Sequence, residues 1–244
     1  MMNTPELSRL DAIILAGGLG TRLRSVVADR QKAFASVGEQ PFVARLLIQL
    51  QRAGIRRVIF ALGHMAESAH PWIERWRTEF GMDLIESIEP TPLGTGGAIR
   101  LALSHTTSNP VLILNGDSFV DADLAGFVSA HRAMACPITL CAVHVNDASR
   151  FGALELDDAQ QHILAFHEKS AQRNGPAWIN AGLYLMQREM LASIPTECAI
   201  SLEREIFPRY VGAKLGVFLQ DKPFIDIGTP ESYAAGADFF SSAS

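Results

Sequence analysis

A short apolar run that leads directly into a glycine-rich loop is the feature that most constrains the fold of this chain. Residues 12–15 read Ala-Ile-Ile-Leu, a pattern typical of a buried β-strand. Three glycines follow within four positions, at Gly17, Gly18 and Gly20. Because glycine leaves the backbone N–H groups unobstructed, such a loop can wrap closely around an anion. Arg22 adds a positive charge, so the segment predicts a phosphate-binding loop at the end of a strand.

Two common phosphate-binding motifs do not account for this loop. A Walker A loop requires Gly-Lys-Ser or Gly-Lys-Thr after its spacer, and the sequence contains neither. The dinucleotide fingerprint G-x-G-x-x-G fits Gly18 and Gly20, but Leu23 stands at the last glycine position. An ordinary glycine-rich turn between a strand and a helix therefore stays open as an alternative, and residues further along the chain must decide.

Strand-like and helix-like patterns alternate through the first half of the chain. The predicted elements are a helix at 41–50, a strand at 57–62, a helix at 66–80, a strand at 83–88, a helix at 98–103 and a strand at 111–114. This alternation predicts an α/β fold with a mostly parallel, doubly wound sheet flanked by helices. Ligands of such sheets bind beyond the carboxyl ends of the strands. The glycine loop, a second glycine-rich loop at 89–97 and Asp117 follow predicted strands, so we expect them to meet there.

The second half of the chain is richer in strands. The predicted elements are strands at 137–145, 153–156, 163–166 and 178–186, a short helix at 202–211, a strand at 215–219 and a final helix at 230–239. No linker-like stretch separates the two halves. We therefore predict a single domain over residues 1–244, in which a nucleotide-binding half at 1–135 is joined by a half at 136–244 that completes the cleft.

Composition and charge narrow the partners of the chain. Of 244 residues, 48% are hydrophobic and 19% are charged, which is enough for a large core. The net charge of −5 argues against a nucleic-acid partner. No apolar run approaches the roughly 18 residues that a membrane span requires, so no membrane partner is expected. Three cysteines, an odd and sparse set, indicate a reducing compartment and hence a cytoplasmic protein. The sequence leaves open whether the chain forms a homo-oligomer.

Several ordered motifs together resemble the sugar-phosphate nucleotidyltransferase family. In chain order they are Leu-Ala-Gly-Gly-x-Gly-Thr-Arg-Leu at 15–23, a following lysine, Gly-Asp at 116–117, Glu-Lys at 168–169, Asn-Ala-Gly at 180–182 and Asp-Ile-Gly-Thr-Pro at 226–230. Within that family, the stretches 92–98, 115–119 and 150–152 resemble the D-glycero-D-manno-heptose 1-phosphate guanylyltransferases. The resemblance covers nearly the whole chain and implies a Rossmann-like fold of the GT-A type with a mixed, mostly parallel sheet.

The resemblance implies a reaction between a nucleoside triphosphate and a sugar 1-phosphate. An oxygen of the sugar 1-phosphate attacks the α-phosphorus, pyrophosphate leaves and a nucleotide-sugar forms. No protein nucleophile is required, because the attacking phosphate is already anionic, and the enzyme must mainly bring two polyanions together and neutralise charge. By this resemblance Arg22, Lys32 and Asp117 are catalytic, and Asp117 and Asp226 hold Mg²⁺, a cation that prefers oxygen ligands.

The remaining site residues are implied in the same way. The nucleotide-binding residues are Leu15, Ala16, Gly17, Gly18, Gly20, Thr21, Glu89, Gly94, Thr95 and Asn115. The residues implied to bind the sugar phosphate are Gly152, Glu168, Lys169 and Asn180. All four lie in the half at 136–244, which is therefore predicted to bind the sugar phosphate. The chain departs from the family next to Lys32, because Gln31 and Ala33 replace the usual prolines. The rigidity of those prolines is lost, but the positive charge of the lysine is kept.

Glu89 bears on the choice of nucleobase. A carboxylate only accepts hydrogen bonds, and guanine offers two adjacent donors on one edge, whereas uracil and thymine offer one donor between two acceptors. The Glu89 carboxylate therefore favours GTP, because it attracts the two donors of guanine and repels the acceptors of uracil and thymine.

Two alternatives stay open at this point. The chain could act on mannose, glucose or an amino sugar 1-phosphate with GTP, UTP or CTP. It could also be a catalytically silent relative that senses nucleotide-sugars, although the joint presence of the catalytic and metal-binding residues argues against silence.

Overall fold

A computed structural model gives the fold of residues 4–18, 23, 26, 30–167 and 175–242. Its strands are β1 (Asp11–Leu15), β2 (Ser36–Val37), β3 (Gln40–Pro41), β4 (Arg57–Leu62), β5 (Asp83–Ile88), β6 (Val111–Asn115), β7 (Ser118–Val120), β8 (Ile138–Val145), β9 (Ala153–Leu156), β10 (Ile163–His167), β11 (Ala177–Met186), β12 (Leu215–Gln220) and β13 (Phe224–Asp226). Its α-helices are α1 (Thr4–Leu7), α2 (Phe42–Arg52), α3 (His70–Phe80), α4 (Gly94–Ala102), α5 (Leu124–Met134), α6 (Arg188–Ala192), α7 (Pro230–Ala234) and α8 (Gly236–Ser242).

Strands from both halves of the chain form one nine-stranded sheet. Its order is β10-β9-β11-β6-β1-β4-β5, with β8 on the other edge of β11 and β12 beside β8. The four neighbours β6, β1, β4 and β5 run parallel to one another, and β11 joins them antiparallel to β6. The predicted mixed α/β sheet with a parallel centre and flanking helices is confirmed.

The two faces of the sheet pack against different helices. Successive side chains of a strand point to opposite faces, so Ile14 packs among the residues of α2, α3 and α5, whereas Ile13 packs among those of α4 and α6. Strand β1 is almost wholly buried, which explains why its sequence is a continuous apolar run rather than an alternating one. The buried centre holds the ends of its neighbouring strands in a fixed relation, and the loops that follow them share one edge.

Two irregular features depart from this regular pattern. In β11 the pairing with β8 shifts between Asn180 and Leu183, at the point where β11 passes from β9 to β6 on its other edge. This bulge contains the Asn-Ala-Gly motif. In addition, β7 and β13 form a separate two-stranded antiparallel ribbon, in which Asp226 lies opposite Ser118. The ribbon joins the C-terminal part of the chain to the end of β6.

Some predicted elements differ in extent from the observed ones. Strands β4, β5 and β9 have the predicted bounds, but α4 begins at Gly94 rather than at residue 98. The segment predicted as one short helix at 202–211 consists of a π-helical turn at Leu202–Ile206 and a 3₁₀ turn at Phe207–Arg209. The final helix is divided into α7 and α8. Helices α5 and α6 and the β7–β13 ribbon were not predicted.

In the described part of the chain, no helix combines the length and the apolar character that a membrane crossing needs.

Candidate active site

A cleft of about 380 Å³ lies beyond the carboxyl ends of the parallel strands. It brings together residues from the glycine loop, the lysine segment, the loop before α4 and the end of β6. The residues that line it are Leu15, Ala16, Gly17, Gly18, Lys32, Ala33, Glu89, Pro92, Gly94, Thr95, Ala98, Asn115, Gly116, Asp117, Glu203 and Gly228. Segments more than a hundred residues apart in sequence therefore contribute to a single cleft.

Local packing holds Lys32 at this cleft. Lys32 begins a 3₁₀ turn whose next two residues, Ala33 and Phe34, are buried. The Phe34 ring stacks on Trp76 with 6.0 Å between the ring centroids. On the other side, the Gln31 side-chain amide donates to the His64 carbonyl at 3.0 Å. Because both neighbours of Lys32 are fixed, its backbone has a defined position although the family prolines are absent.

The Lys32 ammonium pairs with the carboxylate of Asp117. Lys32 Nζ lies 2.6 Å from Asp117 Oδ2, and the side chains are 15% and 38% exposed, respectively. Asp117 lies two residues after the end of β6. Gly116, between them, donates its N–H to the Leu15 carbonyl at 2.9 Å. The two charged groups thus project into the cleft from different segments that the sheet centre holds together.

The β7–β13 ribbon places Asp226 near Asp117, although Asp226 itself is not among the residues that line the cleft. The backbone N–H of Ile227 donates to the Asp117 carbonyl at 2.9 Å, and Asp226 Oδ1 accepts from the Gly228 N–H at 2.9 Å. Burial raises the pKa of the Asp226 carboxyl, and the negative charge of Asp117 raises it further. The positive charge of Lys32 opposes both effects. Two neighbouring carboxylates that repel each other beside Lys32 suit the binding of a hard cation through oxygen.

Glu89 lies at the other end of the cleft, against the glycine loop. Its Oε2 atom accepts from the Leu93 N–H at 2.9 Å. A Cβ atom added to Gly63 would lie 2.5 Å from Glu89 Oε1, and one added to Gly17 would lie 3.2 Å from it. The carboxylate thus fits into a space that only glycine leaves free on two sides. Burial raises the pKa of Glu89, and the Leu93 N–H partly offsets this effect.

The start of α4 packs against the segment before the π-helical turn. The Gly96 N–H donates to the Ile200 carbonyl at 2.8 Å. Gly94 has a φ of +66°, and a Cβ atom there would lie 2.6 Å from that carbonyl oxygen, so the position requires glycine. Thr95 Oγ1 accepts from the Leu202 N–H at 2.8 Å and donates to Glu203 Oε2 at 3.1 Å. These contacts place Glu203 in the cleft.

The residues implied to bind the sugar lie near the bulge in β11. Asn180 donates from its amide to the Tyr184 hydroxyl at 2.9 Å and accepts from the Gly182 N–H at 2.8 Å. Its polar atoms therefore stabilise the bulge, and Asn180 does not line the cleft described above. Gly152 lies where a Cβ atom would be 2.8 Å from the His167 carbonyl oxygen, so the glycine allows β9 and β10 to approach closely.

Five of the predicted site residues lie outside the described residues. They are Gly20, Thr21, Arg22, Glu168 and Lys169.

Sequence reasoning missed two charged residues near the reacting groups. Glu203 lines the cleft, and Arg150 Nη2 lies 3.9 Å from Asp226 Oδ1. Arg150 also donates to Thr229 Oγ1 and Ser232 Oγ, each at 3.2 Å. The predicted site residues came from the ends of predicted strands and from the family motifs, and neither signal assigned a role to Glu203 or Arg150. Glu203 reaches the cleft only because the segment before it packs on α4.

A larger cleft of about 1140 Å³ lies at the opposite end of the sheet, where β1 begins. Its buried carboxylate, Asp11, accepts from the Ser108 N–H at 2.9 Å and from the Thr107 hydroxyl at 3.2 Å. Another of its acids, Asp83, pairs with Arg57 at 2.8 Å. These carboxylates serve the structure, so the chemistry points to the smaller cleft.

The sheet, the position of the cleft and its lysine and acid groups define the class of this protein. Residues 11–242 match the Nucleotidyl transferase family, and the chain belongs to that family. The family recognised from the motifs is therefore confirmed.

Individual relatives are similar over nearly their whole length. A D-glycero-α-D-manno-heptose 1-phosphate guanylyltransferase from Campylobacter jejuni is 36% identical over 225 residues, which are 92% of this chain and 97% of that protein. The protein of the same name from Aneurinibacillus thermoaerophilus is 34% identical over 227 residues, 92% and 95% of the two chains. The crystal structure of HddC from Yersinia pseudotuberculosis complexed with GMP-PN has a TM-score of 0.85 at 31% identity and covers 95% of this chain and 99% of that one.

Proposed function

We propose that this nucleotidyltransferase transfers GMP from GTP to D-glycero-α-D-manno-heptose 1-phosphate. The observation that supports this most is the pair formed by Lys32 and Asp117 in the cleft, in which Lys32 Nζ lies 2.6 Å from Asp117 Oδ2, with Asp226 nearby on the β7–β13 ribbon. The similarity to two heptose 1-phosphate guanylyltransferases supports the choice of sugar and nucleotide. Glu89 supports guanine independently, through its acceptor-only carboxylate.

The proposed reaction is a single in-line displacement. An oxygen of the sugar 1-phosphate forms a bond to the α-phosphorus of GTP, and the bond from that phosphorus to the bridging oxygen of the β-phosphate breaks. Pyrophosphate leaves with that oxygen, and GDP-heptose forms. The Lys32 ammonium offsets negative charge at the α-phosphate as the displacement proceeds. No proton has to be removed, since the attacking phosphate is ionised at neutral pH.

Asp117 and Asp226 fit the binding of Mg²⁺. Both offer carboxylate oxygens, and the pKa of Asp226 is raised by burial and by the charge of Asp117, as expected for acids that a bound cation would stabilise. When bound, Mg²⁺ would supply additional positive charge for the triphosphate. Lys32, which pairs with Asp117 here, would then be free to turn toward the phosphates.

The remaining roles are proposed from the motifs. The glycine loop with Gly20 and Thr21 cradles the triphosphate, Arg22 pairs with the β- and γ-phosphates, and Lys169 pairs with the phosphate of the sugar. Residues 1–135 form the nucleotide-binding half and residues 136–244 the sugar-phosphate-binding half. We place the reaction in the cytoplasm, which three free thiols support, and in the synthesis of a surface polysaccharide.

Pyrophosphate release with a panel of substrates tests this function. The protein is incubated with Mg²⁺, with GTP, UTP or CTP, and with D-glycero-α-D-manno-heptose 1-phosphate, mannose 1-phosphate or glucose 1-phosphate. We expect the highest kcat/KM for GTP with the heptose 1-phosphate. A higher value with another pair would replace the proposed substrates. Nucleotide binding without pyrophosphate release from any pair would support the sensor alternative.

A lysine variant tests the role of the site in the same assay. Lys32→Met should lower kcat by about 100-fold or more, as the loss of one preorganised charge donor does in other enzymes. Lys222→Met is the matched control, because Lys222 is exposed and lies outside the cleft. Equal activity of the two variants would remove Lys32 from the mechanism.

A further inference from the structure

Glu203 is a carboxylate in the cleft for which the proposed reaction has no role. The cleft must hold two substrates that both carry phosphate, and a negative charge beside them is unfavourable. Two of the other cleft carboxylates have a proposed function, Asp117 in cation binding and Glu89 in base recognition. In the described part of the chain, Glu203 forms no salt bridge that would neutralise it. Its presence therefore needs another reason.

The Glu203 carboxylate is held in a defined orientation. Its Oε2 atom accepts from Thr95 Oγ1 at 3.1 Å and from Ser201 Oγ at 2.9 Å. The Thr95 hydroxyl is itself fixed, because it accepts from the Leu202 N–H. No hydrogen bond to Oε1 is found among the described residues. One oxygen is thus anchored by two hydroxyls, and the other is an acceptor available for a ligand in the cleft.

The turn that carries Glu203 packs against strands of the half proposed to bind the sugar phosphate. The π-helical turn leads directly into Phe207, whose ring packs on the Tyr184 ring of β11 with 5.2 Å between the centroids. The Tyr184 hydroxyl accepts from the amide of Asn180 at 2.9 Å. The group proposed for the base, Glu89, lies instead beside the glycine loop. Glu203 therefore lies where the start of α4 meets the segment that packs on β11, the strand that carries Asn180.

From this arrangement we propose that Glu203 recognises the sugar, by accepting hydrogen bonds from hydroxyl groups of the sugar 1-phosphate at its Oε1 atom. A carboxylate that only accepts is suited to hydroxyl donors, and a site built to bond a hydroxyl discriminates strongly against a substrate that lacks it. The inference rests on the proposed function, because it assigns a substrate contact within that reaction.

The variant Glu203→Gln tests the proposal with little change in shape. The glutamine oxygen can still accept from Thr95 and Ser201, but its NH₂ group replaces the acceptor that faces the cleft. At saturating GTP, we expect the KM for D-glycero-α-D-manno-heptose 1-phosphate to rise about tenfold or more, as for the loss of a hydrogen bond to a charged acceptor. The KM for GTP should stay within about twofold, a difference well below one such bond.

Glu205→Gln is the matched control. Glu205 lies on the same π-helical turn and accepts from the Ser201 N–H at 2.9 Å, but it does not line the cleft. Glu205→Gln should leave both KM values unchanged. Mannose 1-phosphate, which lacks one carbon with its hydroxyl, locates the contact: an equal loss with both sugars assigns Glu203 to a shared hydroxyl, and a larger loss with the heptose assigns it to the additional one.

Two results would overturn the proposal. The first is an unchanged KM for the sugar 1-phosphate in a folded Glu203→Gln variant, and the second is a rise confined to the KM for GTP, which would assign Glu203 to the ribose. If the variant does not fold, Glu203→Asp, which keeps the charge and shortens the reach, is measured in its place. If the wild-type protein releases no pyrophosphate with any pair, the proposed function fails separately. Saturation-transfer NMR with the heptose 1-phosphate then decides, since equal signals from wild type and variant exclude the contact.

Discussion

At the scale of single residues, Glu89 shows how a group proposed to read the base can be fixed before the substrate arrives. The carboxylate accepts from the Leu93 N–H, and the absence of side chains at Gly17 and Gly63 leaves room for it. A larger residue at either glycine would displace it. Gly17 after β1 and Gly63 after β4 therefore make room for the group that we propose to read the base.

Glu89→Gln should weaken the preference for GTP. The amide keeps an oxygen for the Leu93 N–H but presents a donor toward the two donors of guanine, so kcat/KM for GTP should fall about tenfold relative to UTP. The measurement is the ratio of kcat/KM values for the two nucleotides with one sugar 1-phosphate. An unchanged ratio would show that another group reads the base.

The pH dependence of this site follows from the same carboxylate. Because burial raises the pKa of Glu89 above its ordinary value, the group takes up a proton at a higher pH than an exposed glutamate does. The protonated form loses an acceptor, so the KM for GTP should rise as the pH falls. This rise should be absent from Glu89→Gln measured over the same pH range.

Gln31 helps to fix the segment around Lys32 in a way that the sequence alone did not predict. The loss of the family prolines beside Lys32 predicted a less rigid segment. In the structure Gln31 is buried, and its amide bonds to the His64 carbonyl at 3.0 Å, while the buried Ala33 packs beneath Gly116. A side-chain hydrogen bond across 33 positions of sequence cannot be inferred from local pattern, because it depends on which loop the sheet places nearby.

Gly182 allows a direct test of how the β11 bulge supports the acid pair. Its φ is +76°, and a Cβ atom there would overlap Ser118 Oγ, next to Asp117. Gly182→Ala should lower the free energy of unfolding by about 3 kcal/mol, through backbone strain and overpacking together. It should also lower kcat, because Ser118 and with it Asp117 must move.

The control for Gly182→Ala separates backbone strain from overpacking as causes of the lost stability. Gly212 has a similar φ of +83°, but nothing lies within 4 Å of an added Cβ atom. Gly212→Ala should therefore show the backbone strain alone, about 1 kcal/mol, with kcat unchanged. Urea unfolding and kcat are measured for both variants, and equal effects would mean that the contact with Ser118 is unimportant.

At the scale of secondary-structure elements, the parts that sequence predicted well are those with a strong period. Strand β4 has the predicted bounds because a buried apolar run and its flanking turns define it. Helix α4 begins four residues earlier than predicted. The prediction left out Gly94, Gly96 and Gly97 because glycine is a poor helix former. Their small size is needed where the carbonyls of Cys198 and Ile200 approach the helix. Tertiary contact thus overrides local propensity at the start of α4.

The β7–β13 ribbon is the element that most affects the site and was hardest to foresee. Each strand has only three residues, too few for a periodic signal, and they are separated by about a hundred residues of sequence. The motifs gave Asp117 and Asp226 as partners, but only the ribbon explains why they meet. Its attachment depends on a small apolar cluster of Val37, Phe42, Ile225, Ile227 and Phe240.

Ile227→Ala should weaken this attachment. Ile227 is fully buried, so its truncation should lower the free energy of unfolding by about 2–5 kcal/mol, and Ile227→Val by about 1 kcal/mol. Because Ile227 lies next to Asp226 and bonds to the Asp117 carbonyl, kcat should also fall in the folded Ala variant. Leu164→Ala, which removes as many carbon atoms from a side chain that is 44% exposed, is the control for both measurements. An unchanged kcat in Ile227→Ala would show that the acid pair does not depend on this anchor.

At the scale of the whole molecule, the sheet links the two halves through β6 and β11, and the cleft lies where they join. The predicted division at residue 135 falls between α5 and β8. His131, on α5, connects elements on both sides of that division: its Nδ1 atom lies 2.8 Å from Thr139 Oγ1 on β8, and its Nε2 atom lies 3.0 Å from the Gln187 amide just before α6. A donor facing Nε2 favours the neutral ring with its proton on Nδ1.

The burial of His131 predicts how the stability of the whole protein depends on pH. Burial lowers the pKa of His131 from 6.5 to about 4. Between these values the unfolded chain binds a proton that the folded protein does not, so the free energy of unfolding falls as the pH is lowered through this range. The loss attributable to this residue should be about 3 kcal/mol on going from the upper to the lower pKa.

Urea unfolding of variants across this pH range isolates the contribution of His131. In His131→Gln, which cannot titrate, the free energy of unfolding should be lower at neutral pH because bonds to Thr139 and Gln187 are altered, but it should decline less on acidification than in the wild type. His105→Gln, at an exposed position, should follow the wild-type pH dependence. If the curves of wild type and His131→Gln run parallel, the acid sensitivity of the fold arises from its carboxylates rather than from the histidine that joins its two halves.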